Sequence, residues 1–453
     1  MASTYIKRVD TTDGNKKVWT WSAWVKLDNT NTAGQNMFSA GGNNVDEAQF
    51  KFANNTLSFF NDYATTGRVS SSTPSRLLRD VNGWYHFVWR HKVDEASNDD
   101  RWKIYINGER LQPSDYGSPT IPNEEGVYNR FTNKQMWFGA RAKAQFDSSY
   151  QYFSGLMSHI HFCDGYAYDA TDFGEYDANG VWTIKTSPSV NYGTHGFFIL
   201  KDGNSVTDQS GNGNDCTVGG GTLTNTEDNP SNVFATWNPL YNYVTGVTFD
   251  NGNTQYKSTN TDGSPQSSAP ATIAVSSGKY YSEILLDTNG GAYPHIGVCP
   301  VDLTSAPFWG EASTSIPMIT HGVNYNSNSG VVTVTNTSQG TFSTYTSGDI
   351  IGIALDMDNE RVYFSKNGTW QNSADPSAGT GYFDFSSVRT DTNEAWVIGG
   401  AAYGGTIWKA NFGNGYFGTT AVASAGTNAS GIGIFEYDVP TGYTALSTKG
   451  LNL

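Results

Sequence analysis

Apolar and polar residues alternate along short segments of the chain, which is the pattern of strands that bury one face. The stretch Val18–Leu27 (VWTWSAWVKL) alternates up to the pair Trp24–Val25. Asn54-Asn55 and Asn107-Gly108 each stand between apolar segments and favour tight hairpin turns. In the N-terminal part this pattern predicts roughly seven strands, enough for one β-sandwich. They are predicted at Val18–Leu27, Gln49–Phe52, Leu57–Phe60, Gly83–Val93, Trp102–Leu111, Gln135–Ala140 and Gly155–Cys163.

A second block of strand-like segments runs from about Thr236 to Phe417. Its longest signal is Gly348–Trp370, which predicts a strand, an acidic turn, a second strand and an Asn367-Gly368 turn. Further strands are predicted at Gly278–Asp287 and Pro294–Pro300. The large side chains predicted to form the two cores are Trp24, Trp84, Phe87, Trp102, Tyr105, Ile284, Ile353, Leu355 and Phe364.

Composition supports the same fold class. Hydrophobic residues make up 37% and aromatic residues 14% of the 453 residues, whereas charged residues are only 15% and glycine occurs 50 times. Glycine, serine, threonine and asparagine disfavour helices and suit short strands separated by turns. A chain of this length exceeds a single core. We therefore predict an all-β protein built of two jelly-roll-type β-sandwich modules.

Net charge and cysteine usage exclude several function classes. The formal charge of −15 argues against nucleic-acid binding, which needs clustered lysine and arginine. No apolar run is long enough to insert into a membrane. The start Met1–Arg8 lacks the apolar stretch of a secretory signal, so we expect synthesis in a cytoplasm without export by that route. Cys163, Cys216 and Cys299 are too scattered for a metal site and are predicted to be buried apolar residues.

Four motifs stand in order in the N-terminal part: WTWSAWVK (Trp19–Lys26), NGWYHFVW (Asn82–Trp89), IYING (Ile104–Gly108) and FSGLMSHIHF (Phe153–Phe162). In this order they resemble the laminin-G-like jelly roll of the concanavalin A-like lectins. The resemblance implies a first sandwich over residues 1–177. A connector rich in Gly, Asn and Thr follows over residues 178–235, and its run DQSGNGND (Asp208–Asp215) is similar to turns of laminin-G-like proteins. This similarity implies that a strand of the connector pairs back onto the first module.

Three later segments, GKYYSEILLD, PHIGVCP and GDIIGIALD followed by FSKNG, resemble the signatures of the SPRY domain in order and spacing. Ser282 stands where that family usually has tryptophan. The resemblance implies a second sandwich over residues 236–430. The remaining tail, residues 431–453, contains VPTGYTAL and resembles the C-terminus of virion proteins of tailed bacteriophages. That similarity implies a protein made in a host cytoplasm and exposed on a virus particle.

Aromatic residues in loops rich in glycine and asparagine are the candidate ligand contacts, because a ring can present a flat apolar face to a sugar or a protein. SPRY-like domains generally bind through loops at one end of the sandwich, which favours Phe308, Trp309 and Trp370. For any one ring the alternative is a structural role in holding its loop. The candidates are Tyr63, Tyr116, Tyr128, Phe308, Trp309, Tyr325, Trp370 and Tyr403.

Calcium binding and catalysis each have a structural alternative in this sequence. Asp208, Ser210 and Asn212 have the spacing of calcium ligands, but the acidic residue that closes such loops is missing, and an Asx-rich turn uses the same residues. A glycoside hydrolase on this fold would need paired carboxylates on a strand. The acid-x-acid triple Asp356-Met357-Asp358 lies at a predicted turn. His159 and His161 share a strand face without an evident third ligand. We expect no catalytic residues, no required cofactor and no enzyme activity.

These observations predict a non-enzymatic virion component of a tailed bacteriophage, either a tail fibre or tailspike-like adhesin or a capsid-attached fibre. Its sandwich loops would bind host-surface polysaccharide, other virion proteins would be its partners, and a homotrimer is the favoured assembly. A purely architectural decoration or connector protein is the alternative from another class. A secreted glycan hydrolase is a third reading.

Overall fold

The computed structural model describes residues 3–9, 12, 14–28, 34–41, 47–63, 66–123, 135–142, 149–201, 205–240, 246–259, 267–291, 294–301, 321–389, 391–402 and 404–453. The chain divides into two compact units, unit 1 over residues 1–225 and unit 2 over residues 226–453. Strands dominate both units, and the described helices are single short turns. The predicted all-β class is confirmed. The boundary between the units lies inside the segment that the sequence marks as a connector.

Unit 1 contains two large antiparallel sheets and a small hairpin. The order in the seven-stranded sheet is β15-β1-β10-β3-β4-β5-β6, the order in the six-stranded sheet is β14-β11-β2-β7-β8-β9, and β12 pairs with β13. Its described helical turns are α1 (Asn98–Arg101) and 3₁₀ turns at Pro113–Tyr116 and Ala170–Asp172. Its described strands are β1 (Tyr5–Val9), β2 (Val18–Leu27), β3 (Gln35–Gly41), β4 (Glu47–Ala53), β5 (Thr56–Tyr63), β6 (Gly67–Ser72), β7 (Trp84–Lys92), β8 (Trp102–Ile106), β9 (Glu109–Arg110), β10 (Gln135–Phe138), β11 (Gly155–Asp164), β12 (Gly174–Tyr176), β13 (Trp182–Ile184), β14 (Phe197–Ile199) and β15 (Thr217–Gly220).

The core of unit 1 lies between the two large sheets. On β2 the alternate residues Trp19, Trp21 and Val25 are fully buried there. The outer face of the same strand is also buried, because residues 165–196 pack over the six-stranded sheet. In this covering layer the Trp182 ring stacks on His86 at 5.9 Å and donates its Nε1–H to His86 Nδ1 at 3.1 Å. Burial lowers the pKa of His86 to about 3, so the ring beneath the layer is neutral.

Two strands of the segment 178–225 complete the sheets of unit 1. Strand β14 pairs with β11, and β15 pairs with β1 at the edge of the seven-stranded sheet. Both pairings are antiparallel and join residues far apart in sequence. The segment is therefore structural rather than a free linker in this part of the chain.

Unit 2 is a second sandwich. The main path of its nine-stranded sheet is β16-β17-β29-β19-β24-β25-β26, with β27 on β25 and β32 on β19; the six-stranded sheet has the order β18-β28-β20-β21-β22-β23. The described 3₁₀ turns are Gln371–Ser373 and Gly450–Asn452. The described strands are β16 (Val247–Asp250), β17 (Gln255–Ser258), β18 (Ser267–Pro270), β19 (Lys279–Thr288), β20 (His295–Pro300), β21 (Val323–Asn326), β22 (Val331–Val334), β23 (Thr337–Thr341), β24 (Ile350–Asp356), β25 (Arg361–Lys366), β26 (Thr369–Trp370), β27 (Phe383–Asp384), β28 (Trp396–Ala402), β29 (Ile407–Asn411), β30 (Tyr416–Phe417), β31 (Thr420–Ala421) and β32 (Thr444–Ala445).

The C-terminal residues belong to unit 2 and cover the outer face of its nine-stranded sheet. Strand β32 runs parallel to β19. Phe435 packs edge-on against the Tyr281 ring at 5.0 Å, and Tyr443 is also buried. Beneath them the backbone amides of Glu436 and Tyr437 each donate a 2.8 Å hydrogen bond to the buried carboxylate of Glu283. The tail is thus part of the packed unit and not an extension from it.

The predicted hairpin turns are confirmed by their backbone geometry. Asn54 and Asn55 have φ of 49° and 65°, and Asn107 and Gly108 have φ of 49° and 81°. A Cβ on Gly108 would lie 2.4 Å from the Trp182 ring, so the covering layer as well as the turn requires glycine there.

The prediction that Trp84 belongs to the core is wrong, because Trp84 lies at the start of β7 and is only half-buried. Residues 85, 87, 89 and 91 of β7 face the core, and Trp84 has the opposite parity. The other eight are buried, although Trp24, which stacks on His86, and Tyr105 lie on the outer face of the six-stranded sheet and not between the sheets.

Three further properties bear on function. Cys163, Cys216 and Cys299 are buried, as predicted. No helix within the described ranges is long and apolar enough to cross a membrane. Across the same ranges, no group of three or more His, Cys, Asp and Glu side chains is placed to hold a metal ion.

Candidate functional site

A polar cleft of about 480 Å³ opens at the covering layer of unit 1. The volume is within the range of roughly 300–1,000 Å³ that is usual for ligand pockets, but the cleft is shallow and open to solvent. None of its lining residues carries a formal charge, and all come from the segment that follows β11. The residues that line it are Tyr168, Ser189, Val190, Asn191, Tyr192, Ser210 and Asn212.

The outer face of the six-stranded sheet fixes the tyrosine at the back of the cleft. Strands β11 and β14 present His161 and Phe198, whose rings stack at 4.0 Å. The Tyr192 ring lies nearly parallel to Phe198 at 6.3 Å, and its hydroxyl is hydrogen-bonded to His161 Nδ1 at 2.9 Å. Burial lowers the pKa of His161 well below its usual value and raises that of Tyr192. The pair is therefore neutral near pH 7, in keeping with the uncharged lining.

The second tyrosine is held by the loop that follows β11. The Tyr168 amide donates to Thr20 Oγ1 at 2.9 Å, and the Tyr168 hydroxyl accepts a 2.8 Å hydrogen bond from the amide of Asn191. Its ring meets Phe173 edge-on at 6.2 Å and stacks on the exposed Tyr166 at 6.0 Å. These contacts place a half-buried ring beside amide and hydroxyl groups.

The polar wall comes from two loops that hydrogen-bond to each other. Asn212 Nδ2 donates to the carbonyl oxygens of Gly193 and Gly196 at 2.7 and 3.0 Å, which leaves its Oδ1 as an acceptor. Asn191 Oδ1 accepts from the Gly193 amide at 2.9 Å, and no described residue bonds its Nδ2. Ser189 is exposed and its hydroxyl has no bonded partner among the described residues. The wall therefore offers both donors and acceptors to a neutral ligand.

Close backbone packing fixes the floor between these loops. A Cβ on Gly196 would lie 1.9 Å from the Tyr192 carbonyl oxygen and 2.4 Å from that of Phe162. Only glycine allows the chain to approach β11 this closely and so to bring Tyr192 onto Phe198.

The calcium candidates are engaged in a hydrogen-bonded turn. Asp208 Oδ1 accepts from the amides of Phe198 and Ser210, and Asp208 Oδ2 accepts from the Ser210 hydroxyl and the Asn214 amide, all at 2.8–2.9 Å. This is the geometry of the Asx-rich turn that the sequence allowed as the alternative. The turn positions Ser210 and Asn212 at the cleft instead of around an ion.

Three of the aromatic contact candidates were wrongly predicted to be exposed. Tyr63, Tyr116 and Tyr325 are at most 3% exposed. Tyr116 packs edge-on against Phe59 at 5.5 Å, and Tyr325 lies 5.5 Å from Phe364 in unit 2. Tyr63 and Tyr325 lie on strands β5 and β21, and Tyr116 ends a 3₁₀ turn, so these rings fill space in the cores and offer no face to a ligand.

Of the other candidates, Trp370 is half-buried. It packs edge-on against Tyr281 at 6.3 Å and Tyr363 at 6.5 Å, in the cluster beneath the C-terminal tail. The remaining predictions, Tyr128, Phe308, Trp309 and Tyr403, lie outside the described residues.

Sequence reasoning missed Tyr192 because it treated the residues after 177 as a connector, and it passed over Tyr168, which lies before that boundary. The signal was present in Tyr166-Ala167-Tyr168 and in Asn191-Tyr192-Gly193, where tyrosine stands next to glycine, alanine or asparagine. The same criterion selected loop aromatics elsewhere in the chain.

A pair of carboxylates that the sequence did not reveal lies on the outer face of the seven-stranded sheet. Glu47 on β4 and Asp62 on β5 are both buried, and the Glu47 amide donates to Asp62 Oδ2 at 2.8 Å. Arg141 pairs with both oxygens of Glu47 at 2.8 and 3.1 Å, and Arg68 pairs with both oxygens of Asp62 at 2.7 and 3.0 Å. The acid-x-acid triple of unit 2 is also engaged, since Asp356 pairs with Lys279 at 3.0 Å and Asp358 accepts from the Gly278 amide at 2.7 Å.

Comparisons with known families agree with both sequence resemblances. Residues 2–167 match the family described as the concanavalin A-like lectin/glucanases superfamily, and residues 279–401 match the SPRY domain family. A comparison with curated proteins finds no match.

Three solved structures have low similarity to parts of the chain. The SPRY domain of human HERC1 is 18% identical and covers 38% of this chain and 96% of its own, with a TM-score of 0.29. The PSpry domain of TRIM65 is 14% identical and covers 39% and 91%, with a TM-score of 0.28. A heptameric SAP-like pentraxin from Limulus polyphemus is 15% identical and covers 36% and 70%, with a TM-score of 0.25. The first family match lies within unit 1 and the second within unit 2, and each covers less than half of the chain.

Proposed function

We propose that this chain is a non-enzymatic carbohydrate-binding protein of a tailed bacteriophage particle, and that the cleft at Tyr168 and Tyr192 binds host-surface glycan. The observation that carries the proposal is the lining of the cleft, which combines two tyrosine rings with amide and hydroxyl groups and has no charged residue. A neutral sugar presents the complementary chemistry, with apolar C–H faces and a ring of hydroxyl groups. The virion location rests on the sequence similarity of the C-terminal tail.

The same chemistry sets the expected affinity. A few hydrogen bonds replace water that is already bound to the sugar, so each contributes only about 0.5–1.5 kcal/mol. A single site then has a dissociation constant in the millimolar to micromolar range. Clustering of copies, for which a trimer is the favoured form, raises the avidity by orders of magnitude.

The paired carboxylates support binding over hydrolysis. Retaining glycosidases need one carboxyl as an acid and the other as a nucleophile, about 5–5.5 Å apart. In unit 1 both oxygens of Glu47 and both oxygens of Asp62 are already bonded to a guanidinium. Neither carboxylate is free to take up a catalytic role.

A glycan array of bacterial surface polysaccharides, followed by titration of each hit, tests the proposal. The double variant Ser189→Ala, Asn191→Ala removes two exposed polar groups of the cleft and should weaken binding about tenfold. Tyr176→Ala is the matched control, since Tyr176 is 55% exposed on the neighbouring hairpin but does not line the cleft. If the double variant and the parent protein had equal affinity for every bound glycan, the proposal that the cleft is the binding site would be contradicted.

Two further results would favour the rival readings. Absence of binding to any glycan, with the protein found as a regular component of purified virions, would support the architectural role. Shortened oligosaccharides after incubation, lost in a Glu47→Gln variant, would support a hydrolase.

A further inference from the structure

A plane of polar side chains covers the outer face of strands β3 to β6 in unit 1, away from the cleft. Strand register aligns Ser39, Gln49, Phe60 and Ser70 in one row across these four strands. The neighbouring row aligns Lys51 with Ser58. Ser39, Gln49 and Phe60 are buried in this row, whereas Ser70 is exposed and Lys51 and Ser58 are half-buried.

Arg68 is held in a fixed orientation on this face. Its guanidinium carbon lies 3.9 Å from the centre of the Phe60 ring, and Nε and Nη2 donate to Asp62 at 2.7 and 3.0 Å. A guanidinium has five N–H donors, so these bonds leave Nη1 with both of its donors. The Arg68 side chain is 46% exposed, so part of it faces solvent.

Lys51 converges on the same ring from the adjacent strand. Its ammonium nitrogen lies 6.0 Å from the Phe60 ring centre, and no described carboxylate lies within ion-pair distance of it. Glu47, the acid among the described residues that acts on its charge, is held by Arg141. Burial and the neighbouring Arg141 lower the pKa of Lys51 below its ordinary value.

The cluster therefore has an excess of positive charge. The three cations Lys51, Arg68 and Arg141 face the two carboxylates of Glu47 and Asp62, within a chain whose formal charge is −15. Carboxylate and phosphate groups bind where positive charge is in excess and donors are oriented, and this cluster offers one oriented guanidinium and one unpaired ammonium.

We propose that Lys51 and Arg68 form a second binding site, which takes the anionic group of an acidic saccharide. The hydroxyl groups of Ser58 and Ser70 lie on the same face, where they can contact the rest of the sugar. This inference rests on the proposed glycan-binding function and specifies a ligand class for a surface other than the cleft. A purely structural ion-pair cluster would have no reason to keep an unpaired lysine beside Arg68.

Calorimetric titration of the full-length protein tests the site with matched ligands: an oligomer of glucuronic acid, an oligomer of glucose of the same length, and a glucose phosphate. We expect the glucuronic acid oligomer to bind more tightly than the neutral one, with an affinity that falls as salt is raised. Lys51→Gln should lower that affinity about tenfold and leave binding of the neutral oligomer unchanged. Tighter binding of the glucose phosphate than of neutral glucose would identify phosphate as an equivalent anion.

Lys7→Gln is the control. Lys7 lies on β1 of the same sheet, on the same face, three strands or about 14 Å from β4. Equal effects of the two lysine substitutions, or no preference for an acidic oligomer, would overturn the inference. Binding of the neutral oligomer alone, sensitive to Ser189→Ala, Asn191→Ala, would leave the proposed function standing while the second site fails. No binding of any saccharide would overturn both.

Discussion

The contact between Glu283 and the C-terminal tail should make the packing of that tail depend on pH. Glu283 is fully buried on β19 and accepts hydrogen bonds from the Tyr281 hydroxyl, Asn411 Nδ2 and the backbone amides of Glu436 and Tyr437. No described cation forms an ion pair with it. Burial raises its pKa from 4.5 to about 7, although the four donors act in the opposite direction.

The sign and size of the effect follow from linkage. When the tail lifts off, Glu283 is hydrated and its pKa returns to the ordinary value, so the open state binds fewer protons than the closed one between pH 4.5 and 7. The closed state is therefore most stable below pH 4.5 and loses stability as pH rises through 7. A pKa difference of about 2.5 corresponds to about 3 kcal/mol, or roughly 300-fold in the opening equilibrium.

Hydrogen exchange of peptides spanning residues 432–446, corrected for the intrinsic rate at each pH, measures that equilibrium. We expect protection of the amides at Glu436 and Tyr437 to fall by roughly 70-fold between pH 5 and 8, because part of the full change lies below pH 5. Glu283→Gln should abolish this slope, and at pH 5 it should be less protected than the parent protein. The amide of glutamine replaces one acceptor by a donor, which leaves a buried N–H without a partner at a cost of about 1–3 kcal/mol.

A local measurement is needed because His295 makes the global stability depend on pH in the opposite direction. Burial lowers the pKa of His295, so its contribution to global stability grows as pH rises toward 6.5. His295 lies on β20 in the other sheet. Asp250→Asn, at the exposed end of β16, is the control that should keep the slope. An unchanged slope in Glu283→Gln would refute the assignment of the pH dependence to Glu283.

Two further predictions concern unit 1. Trp89→Ala should lower the free energy of unfolding of unit 1 by about 3–5 kcal/mol, because the ring is fully buried against Trp19 at 5.0 Å and Trp102 at 5.4 Å. Trp84→Ala should cost less. Denaturant unfolding measures both variants, and equal losses would contradict the assignment of faces on β7. Since both oxygens of Asp208 are bonded within its turn, neither millimolar calcium nor a chelator should move the melting temperature, and a rise with calcium would reopen the metal site.

The hairpins were predictable from sequence because their signals are local. Asn107-Gly108 adopts the positive φ values that asparagine and glycine favour, and the flanking strands follow the alternation. The inward face of β7 was not predictable in the same way. Trp84 and Trp89 lie on opposite faces of the strand, so either face could be the apolar one, and only packing against β2 decides which faces the core.

The candidate cleft was out of reach for a different reason. Tyr168 and Tyr192 are 24 positions apart and Tyr192 and Asn212 are 20 apart, and they meet because the chain returns across the six-stranded sheet. The spacing of these residues along the sequence does not indicate that the chain crosses back over the sheet. The buried rings of Tyr63 and Tyr116 illustrate the converse error, because polar surroundings in sequence were taken as exposure in space.

Each unit begins and ends on neighbouring segments. In unit 1 the first strand, β1, pairs antiparallel with the last, β15, with Tyr5 opposite Gly220. In unit 2 Phe234 bridges Ser447 in the same antiparallel sense. Because the two ends of each unit lie side by side, tension between them would break the hydrogen bonds of these pairs one after another and would not load many bonds at once. Under mechanical pull unit 1 would therefore open at its terminal strands first, at low force, while the sandwich behind them stays intact.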